Sequence, residues 1–374
     1  MARYNWDLLT IRNNIDKLTQ MLNNNISDDE KITIQETILQ YQLMLSTIAG
    51  REKIEDDCKL DIPFNTLFNN FMEYLGMKDE KFINLILDTF KLIKDFEPNF
   101  SIDYIVPFTN DKLLEICDNF METTLPATYF KKYRKEILAH PKHIHIRNYF
   151  DYANGVTFID PVLKQKYILI NRRNQLHDLY VPAHEYFHFL FNDYDCHFYS
   201  NNDMYYSQEI EGSLANIMFA DYYRNYSNNK DSYDIAKQMD ESFLFQYQTR
   251  TISLVFLTDY LEATNENGKF RANKFNKYLN YFDFKTPIDK EELYNYLGDE
   301  TADNVIEYNI SFLAALDLFY IYKRDPEFAF YLLENIRFIK NDTDLLGVFR
   351  RNHITFMDDN FENLKKYIKK IERL

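Results

Sequence analysis

The chain has 374 residues, of which 46% are hydrophobic and 17% aromatic, so it is long enough to bury a large, bulky core. Its net charge of −15 argues against nucleic acid or an anionic membrane as a partner. No run of about 18 apolar residues and no N-terminal signal core occur in the sequence, so we expect a cytosolic protein that does not cross a membrane.

Helical periodicity predominates in the first part of the chain. Predicted helices cover residues 6–23, 29–48, 81–96 and 111–123. No internal repeat, Pro-rich linker or low-complexity tract interrupts the chain, and the most plausible connector is the charged segment 51–61. This part of the sequence shows no chemical motif beyond its helical pattern.

Two segments in the middle of the chain predict β-strands. Residues 166–171 alternate in polarity and are rich in β-forming residues, and residues 156–159 have the same character. A helix should follow, because Asp178 offers an N-cap side chain. Pro182 would fall in the first turn of that helix, where the backbone N–H has no intrahelical partner. The free edge of such a strand is suited to binding an extended peptide.

The most informative motif is His-Glu-Tyr-Phe-His at residues 184–188. On a helix, His184 and His188 lie on the same face, one turn apart, and can bind a single Zn²⁺ ion. Glu185 lies about 100° around the helix, from which it can act as general base toward a water on the metal. Two histidines at this spacing also occur in ordinary helix packing, so the context of the motif decides its meaning.

A second predicted helix, about 20 residues later, offers a third ligand. Glu209 lies on a face of small and polar side chains suited to close packing, whereas Glu211 shares its face with core residues. The first face comprises Glu209, Gly212, Ser213, Asn216 and Ala220. We therefore favour Glu209 as the ligand and keep Glu211 as the alternative. Two histidines, one glutamate and an open position are typical of catalytic rather than structural zinc.

The other cysteines and histidines favour simpler interpretations. The three cysteines are odd in number and widely spaced, which predicts reduced thiols; they are Cys58, Cys117 and Cys196. Cys196 and His197 fit a solvent-side connector better than a ligand pair. A local histidine cluster lies on a strand-like run, where metal binding is the less favoured interpretation; it comprises His140, His143 and His145.

The C-terminal part again predicts helices, which cover residues 233–261, 290–297, 302–323, 326–340 and 360–374. The basic pairs at Lys365-Lys366 and Lys369-Lys370 suit the C-terminal end of a helix, where cations complement the helix dipole. They do not require a targeting role.

These motifs together resemble the oligoendopeptidase F and thimet oligopeptidase family of zinc metallopeptidases. The resemblance rests on the strand at 167–171, Asp178 six residues before the motif, the motif itself, and the helix that begins at Glu209. It continues through residues 308–316 and 322–327 and covers roughly residues 150–374. It implies a deep channel that admits unstructured oligopeptides.

The resemblance also implies roles and shows departures. It implies that Tyr308 donates a hydrogen bond to the oxyanion, and the alternative is an ordinary buried tyrosine. The family usually has Gly at the fourth motif position, where this chain has Phe187. This ring should alter packing or narrow the cleft. Ile306 stands where the family has a second tyrosine near the metal, and the family's preceding histidine has no clear counterpart.

We therefore expect a mainly α, zincin-like helical metallopeptidase with a small antiparallel β-sheet beside the active-site helix. Residues 1–150 should form a helical region that makes one wall of the cleft, and residues 151–374 the catalytic region. The expected activity is zinc-dependent cleavage of short unstructured peptides, with Glu185 as base. Two alternatives remain: a regulatory zinc peptidase that cleaves one protein partner, and a non-catalytic binding module on a peptidase fold.

Overall fold

A computed structural model of the chain describes most of the helical segments and the sheet. The described residues are 8–23, 27, 31, 34–35, 37–38, 41, 79–99, 106–147, 154–159, 166–191, 209–226, 230–263, 302–336, 345–356 and 361–372. The chain forms two compact units: residues 1–64 with 159–165, and residues 65–158 with 166–374. The predicted division near residue 150 stays a prediction.

The described residues are mainly helical, as the sequence predicts. The helices are α1 (Leu8–Leu22), α2 (Asp79–Ile93), α3 (Asn110–Thr124), α4 (Ala127–Tyr133), α5 (Val181–Phe191), α6 (Glu209–Tyr226), α7 (Lys230–Ala263), α8 (Ala302–Tyr322), α9 (Pro326–Ile336), α10 (Leu345–Arg351) and α11 (Glu362–Glu372). Helices α4 and α10 were not predicted. The predicted helix at 290–297 and most of the one at 29–48 lie outside the described residues.

The expectation of an antiparallel sheet is wrong. Strands β1 (Ile144–Arg147), β2 (Gly155–Ile159) and β3 (Lys166–Asn171) form one sheet in the order β1-β3-β2. Strand β1 pairs with β3 in parallel, with Ile144 opposite Ile168. Parallel neighbours need a long connection, and residues 148–165 provide it. Strand β3 is buried along its whole length, because it lies at the centre of the sheet and packs against α5.

Helix α6 lies at the centre of the larger unit, in contact with α5, α7 and α8. Its small residues allow this close packing, since Gly212, Ala215 and Ala220 are fully or almost fully buried. Helix α8 extends the core through contacts with α7, α9 and α11. Among the described residues, none of the helices combines the length and the apolar character that a membrane span requires.

Helix α5 carries the His184–His188 motif and is buried on almost every side. Pro182 lies in its first turn, as predicted. Asp178 does not cap this helix, however. It belongs to a preceding 3-10 turn, Leu176–Leu179, and its carboxylate accepts the backbone N–H groups of Arg173 and Gln175 at 3.2 and 3.3 Å. The Asp178 carboxylate therefore stabilises the loop between β3 and α5, and not the start of α5.

The C-terminal end of α5 is held by two lysines. The Lys166 ammonium donates to the carbonyl of Phe189 at 2.8 Å, and Lys132 donates to the carbonyl of Leu190. These carbonyls belong to the last turn, where an α-helix has no internal partners for them. Cations are favourable at this end of a helix. Strand β3 and helix α4 thereby position the motif helix.

Candidate metal centre

The two histidines of the motif converge on one point. Nε2 of His184 and Nε2 of His188 lie 2.9 Å apart, and the ring planes are nearly perpendicular. This is the result expected for positions one turn apart on a helix. His188 is buried, and the His184 side chain is 17% exposed. The pair therefore faces a site that is largely dry yet open on the His184 side.

Glu209, at the first position of α6, completes the cluster. Its Oε2 atom lies 3.5 Å from Nε2 of His184 and 3.6 Å from Nε2 of His188. Oε2 is buried and has no hydrogen-bond partner among the described residues. Glu211 meets the other side of the second imidazole, with Oε1 3.4 Å from Nδ1 of His188. The structure thus groups the two Nε2 atoms with Glu209 and not with Glu211.

The donor set and its spacing fit a zinc ion. Tetrahedral zinc at 2.0–2.2 Å from its ligands separates the ligand atoms by about 3.3–3.6 Å. The two histidine–glutamate pairs, at 3.5 and 3.6 Å, match this separation, and the two Nε2 atoms, at 2.9 Å, lie closer together. A buried carboxylate oxygen without a donor is costly, and a cation would compensate that cost. Two imidazoles and one carboxylate form the usual three-ligand set of catalytic zinc.

A glycine of α6 makes room for the first histidine. A Cβ atom built on Gly212 would lie 2.3 Å from Cε1 and 2.6 Å from Nε2 of the His184 ring. Real side chains do not approach this closely, so any other residue would displace the ring. Because Cε1 and Nε2 of His184 would both have to move, Gly212 determines where this ring can place its Nε2 atom.

Strand β2 holds the side chain of Glu185. The Thr157 hydroxyl lies 2.8 Å from Oε2 of Glu185 and 2.9 Å from its backbone carbonyl. A Cβ on Gly155 would lie 2.6 Å from Oε1 of Glu185, so the strand and the carboxylate are in direct contact. Glu185 is only 4% exposed. The sequence predicts a strand at 156–159, in agreement with β2. It does not reveal the contacts of Thr157 and Gly155 with Glu185, since a hydroxyl in a strand has no distinguishing pattern.

The carboxylates and imidazoles of the site shift one another's pKa values. Burial raises the pKa of Glu185, while the neighbouring His184 and His188 and the Thr157 hydroxyl oppose that rise. Burial also raises the pKa of Glu211. The pKa of Glu209 is lowered, because His188 and His184 outweigh the effect of burial on this carboxylate. The residue grouped with the two imidazoles is therefore the carboxylate kept ionised, which suits a metal ligand.

Tyr308 lies near the start of α8 and is partly exposed. Its ring packs under the guanidinium of Arg250 on α7, with Cζ of the arginine 4.2 Å from the ring centroid. The next residue, Asn309, donates to the hydroxyl of Thr251 at 2.9 Å, so this end of α8 is tied to α7. The role of Tyr308 toward an oxyanion stays a prediction.

The remaining candidates occupy other surroundings. His140 stacks on His143, and His143 packs on Tyr167 of β3. Cys117 is buried and free, and burial raises its pKa well above that of an ordinary thiol. Cys58, Cys196, His197 and the adjoining residues lie outside the described part of the chain.

Comparison with known proteins shows similarity in structure but not in sequence. No protein-family model matches the chain, and no curated protein matches it. The similar structures are an oligoendopeptidase F (TM-score 0.52, 12% identity), a peptidase from Chlamydophila abortus (0.52, 12%) and PZ peptidase A with an inhibitor (0.54, 11%). The alignments cover 98%, 98% and 96% of this chain, and 66%, 62% and 70% of the respective structures.

The chain has the oligoendopeptidase F fold. It spans about two thirds of the length of these structures. Phe187, at the fourth position of the motif, does not face the metal cluster. Its ring is fully buried and packs against Phe120, Phe191 and Phe330. Phe187 thus belongs to the aromatic core beneath the motif helix.

Proposed function

We propose that the protein is a zinc-dependent endopeptidase. The observation that carries this proposal is the convergence of His184, His188 and Glu209 on one point, with the buried carboxylate of Glu185 beside it. The oligoendopeptidase F fold supports the same reaction class. His184 and His188 would bind the metal through Nε2, and Glu209 through Oε2. When bound, zinc supplies a Lewis acid that polarises the scissile carbonyl and lowers the pKa of a coordinated water.

Glu185 acts as the general base. It takes the proton from the attacking water and passes it to the leaving amine. Burial raises the pKa of this carboxylate, which brings it nearer to the range in which one group can both accept and return a proton. Thr157 holds the Glu185 carboxylate in place, since the Thr157 hydroxyl lies within hydrogen-bond distance of Oε2 of Glu185.

The substrates we propose are short, unstructured oligopeptides. This part of the proposal rests on the family resemblance, which implies a channel too narrow for folded proteins. Residues 1–150 would form one wall of the channel, and Tyr308 would donate a hydrogen bond to the oxyanion. The proposed enzyme acts in the cytosol, and its partners are peptides rather than nucleic acid or membrane.

The first prediction tests the role of Glu185. Glu185→Gln should retain about one zinc per chain and lose hydrolysis of a quenched-fluorescence peptide library by at least about 10²-fold, since general-base catalysis contributes factors of 10²–10⁴. Zinc content and turnover are measured on the same preparation. Glu241→Gln is the matched control, because Glu241 is an equally buried glutamate on α7 and should leave turnover unchanged.

Two results would sink the proposal. One is a Glu185→Gln variant that cleaves peptides as fast as the wild-type protein. The other is a wild-type protein that holds no zinc, or a double variant of His184 and His188 to Ala that keeps the wild-type zinc content.

A further inference from the structure

The second carboxylate of α6 lies against the metal-binding histidine on the side opposite to the proposed metal. Oε1 of Glu211 is 3.4 Å from Nδ1 of His188, whereas Glu209 lies on the Nε2 side of the same ring. The imidazole is therefore held between two carboxylates that are two residues apart in the sequence. We infer that Glu211 is a positioning residue that orients His188 for zinc, an inference that rests on the proposed function.

The chemistry of imidazole supports this role. Nε2 can bind a metal only if it carries no proton, and a neutral imidazole then carries its proton on Nδ1. An acceptor at Nδ1 selects this tautomer, fixes the plane of the ring and makes Nε2 a stronger donor to the metal. Oε1 of Glu211 is placed to accept that proton. The contact of 3.4 Å is longer than the usual 2.7–3.2 Å, so we expect an effect near the lower end of the usual range.

The burial of Glu211 argues against a purely structural role. The residue is 1% exposed, and its second oxygen, Oε2, has no hydrogen-bond partner among the described residues. A buried carboxylate whose side-chain hydrogen bond is long costs folding free energy, and an apolar residue of similar size would usually cost less. Such a group contributes more to the orientation of the ring it contacts than to stability.

The experiment compares Glu211→Met, which keeps the size of the side chain but removes the acceptor, with Glu211→Gln, which keeps an acceptor oxygen. Zinc affinity is measured by competition with a chromophoric chelator, and the melting temperature is measured on the zinc-free protein. Losing such a partner of a ligand typically weakens metal binding 10–100-fold. We expect about tenfold weaker binding for Glu211→Met, most of it restored in Glu211→Gln, and no drop in melting temperature for either variant.

Two further variants calibrate the result. Glu209→Ala should weaken zinc binding far more than Glu211→Met, because it removes a ligand. Glu241→Met, at the buried glutamate of α7, should leave zinc affinity unchanged. The Co²⁺-substituted Glu211→Met protein should keep the absorption bands of the wild-type cobalt protein, since its ligand set is intact.

Several outcomes would overturn the inference. Zinc affinity of Glu211→Met within twofold of wild type would show that the residue does not act on the metal, and the proposed function would still stand. Loss of the wild-type cobalt bands in Glu211→Met, with their retention in Glu209→Ala, would make Glu211 the ligand instead. Failure of the wild-type protein to bind zinc would remove the proposed function and this inference together.

Discussion

Glu185 depends on strand β2 for its position. The Thr157 hydroxyl lies 2.8 Å from its carboxylate. A Cβ on Gly155 would collide with the same carboxylate, so only glycine fits at this position of the strand. Burial raises the pKa of Glu185, and the Thr157 hydroxyl is among the groups that lower it. A base must be ionised to accept a proton, so the hydroxyl should extend activity toward acidic pH.

Thr157→Val tests this contribution. The substitution keeps the shape of the side chain and removes the hydroxyl, so the pKa of Glu185 should rise further. The acidic limb of the pH profile of kcat/KM should then move to higher pH. At neutral pH we expect a loss of about tenfold, since a hydrogen bond to a charged group contributes about 1.5 kcal/mol or more. Steady-state rates between pH 5 and 8 provide the measurement.

Thr157→Ser is the control, because it retains the hydroxyl and should follow the wild-type profile more closely. If the valine variant shows an unshifted acidic limb, Thr157 does not act on Glu185 during turnover.

Tyr308 is open to a similar test. Tyr308→Phe keeps the ring under the Arg250 guanidinium and removes only the hydroxyl. If that hydroxyl meets the oxyanion, kcat should fall by about 10²-fold, with KM nearly unchanged. A tyrosine with only a packing role would instead lose about 1 kcal/mol of stability through its hydrogen bond. An unchanged kcat with a lowered melting temperature would remove Tyr308 from the active site.

At the scale of elements, the site depends on how closely α5 and α6 approach. At Gly212 of α6, a Cβ would lie 2.3 Å from the His184 ring of α5. The same residue lacks the helix propensity of alanine by about 0.8–1 kcal/mol. Glycine at this position therefore lowers local helix stability and leaves the space that the His184 ring occupies.

Gly212→Ala should displace His184 and weaken zinc binding more than it affects the fold. We expect at least about tenfold weaker zinc affinity, since a ligand nitrogen moves while the other two ligands stay. Chelator competition measures this, with Gly347→Ala in α10 as the control for the same change in another helix. Zinc affinity equal to wild type would contradict the proposed position of His184.

The sequence predicted the elements that carry local patterns. Residues 166–171 form the predicted strand, and the motif lies on a helix with Pro182 in its first turn. Parallel pairing of β1 with β3 could not be predicted, because pairing depends on which strand reaches the centre of the sheet and not on periodicity. The prediction that Asp178 caps the motif helix was wrong, because the sequence does not show which of two consecutive helical turns a capping residue belongs to. Asp178 lies in the 3-10 turn Leu176–Leu179, ahead of that helix.

At the level of the site, the sequence predicted which side chains lie together better than it predicted what surrounds them. The spacing of His184, Glu185 and His188 follows from helix geometry, and Glu209 was favoured from the small face it shares. The contacts of Thr157 and Glu211 depend on side chains from different elements, separated from their partners by 28 and 23 residues. No local pattern encodes such contacts.

At the scale of the whole molecule, the fold is better preserved than the sequence. The chain matches solved peptidase structures over 96–98% of its length at 11–12% identity. Helix packing accepts many side chains of suitable volume, and Phe187 is an example, since its ring fills the core rather than the site.

In the proposed mechanism, peptide hydrolysis depends on zinc held by His184, His188 and Glu209. The most direct test is the turnover of a quenched-fluorescence peptide library by the wild-type protein, before and after zinc removal with a chelator and after stepwise zinc return. Activity should disappear with the metal and recover fully at about one zinc per chain. Hydrolysis that persists in the zinc-free protein, or a fully zinc-loaded protein that cleaves no peptide in the library, would contradict the account.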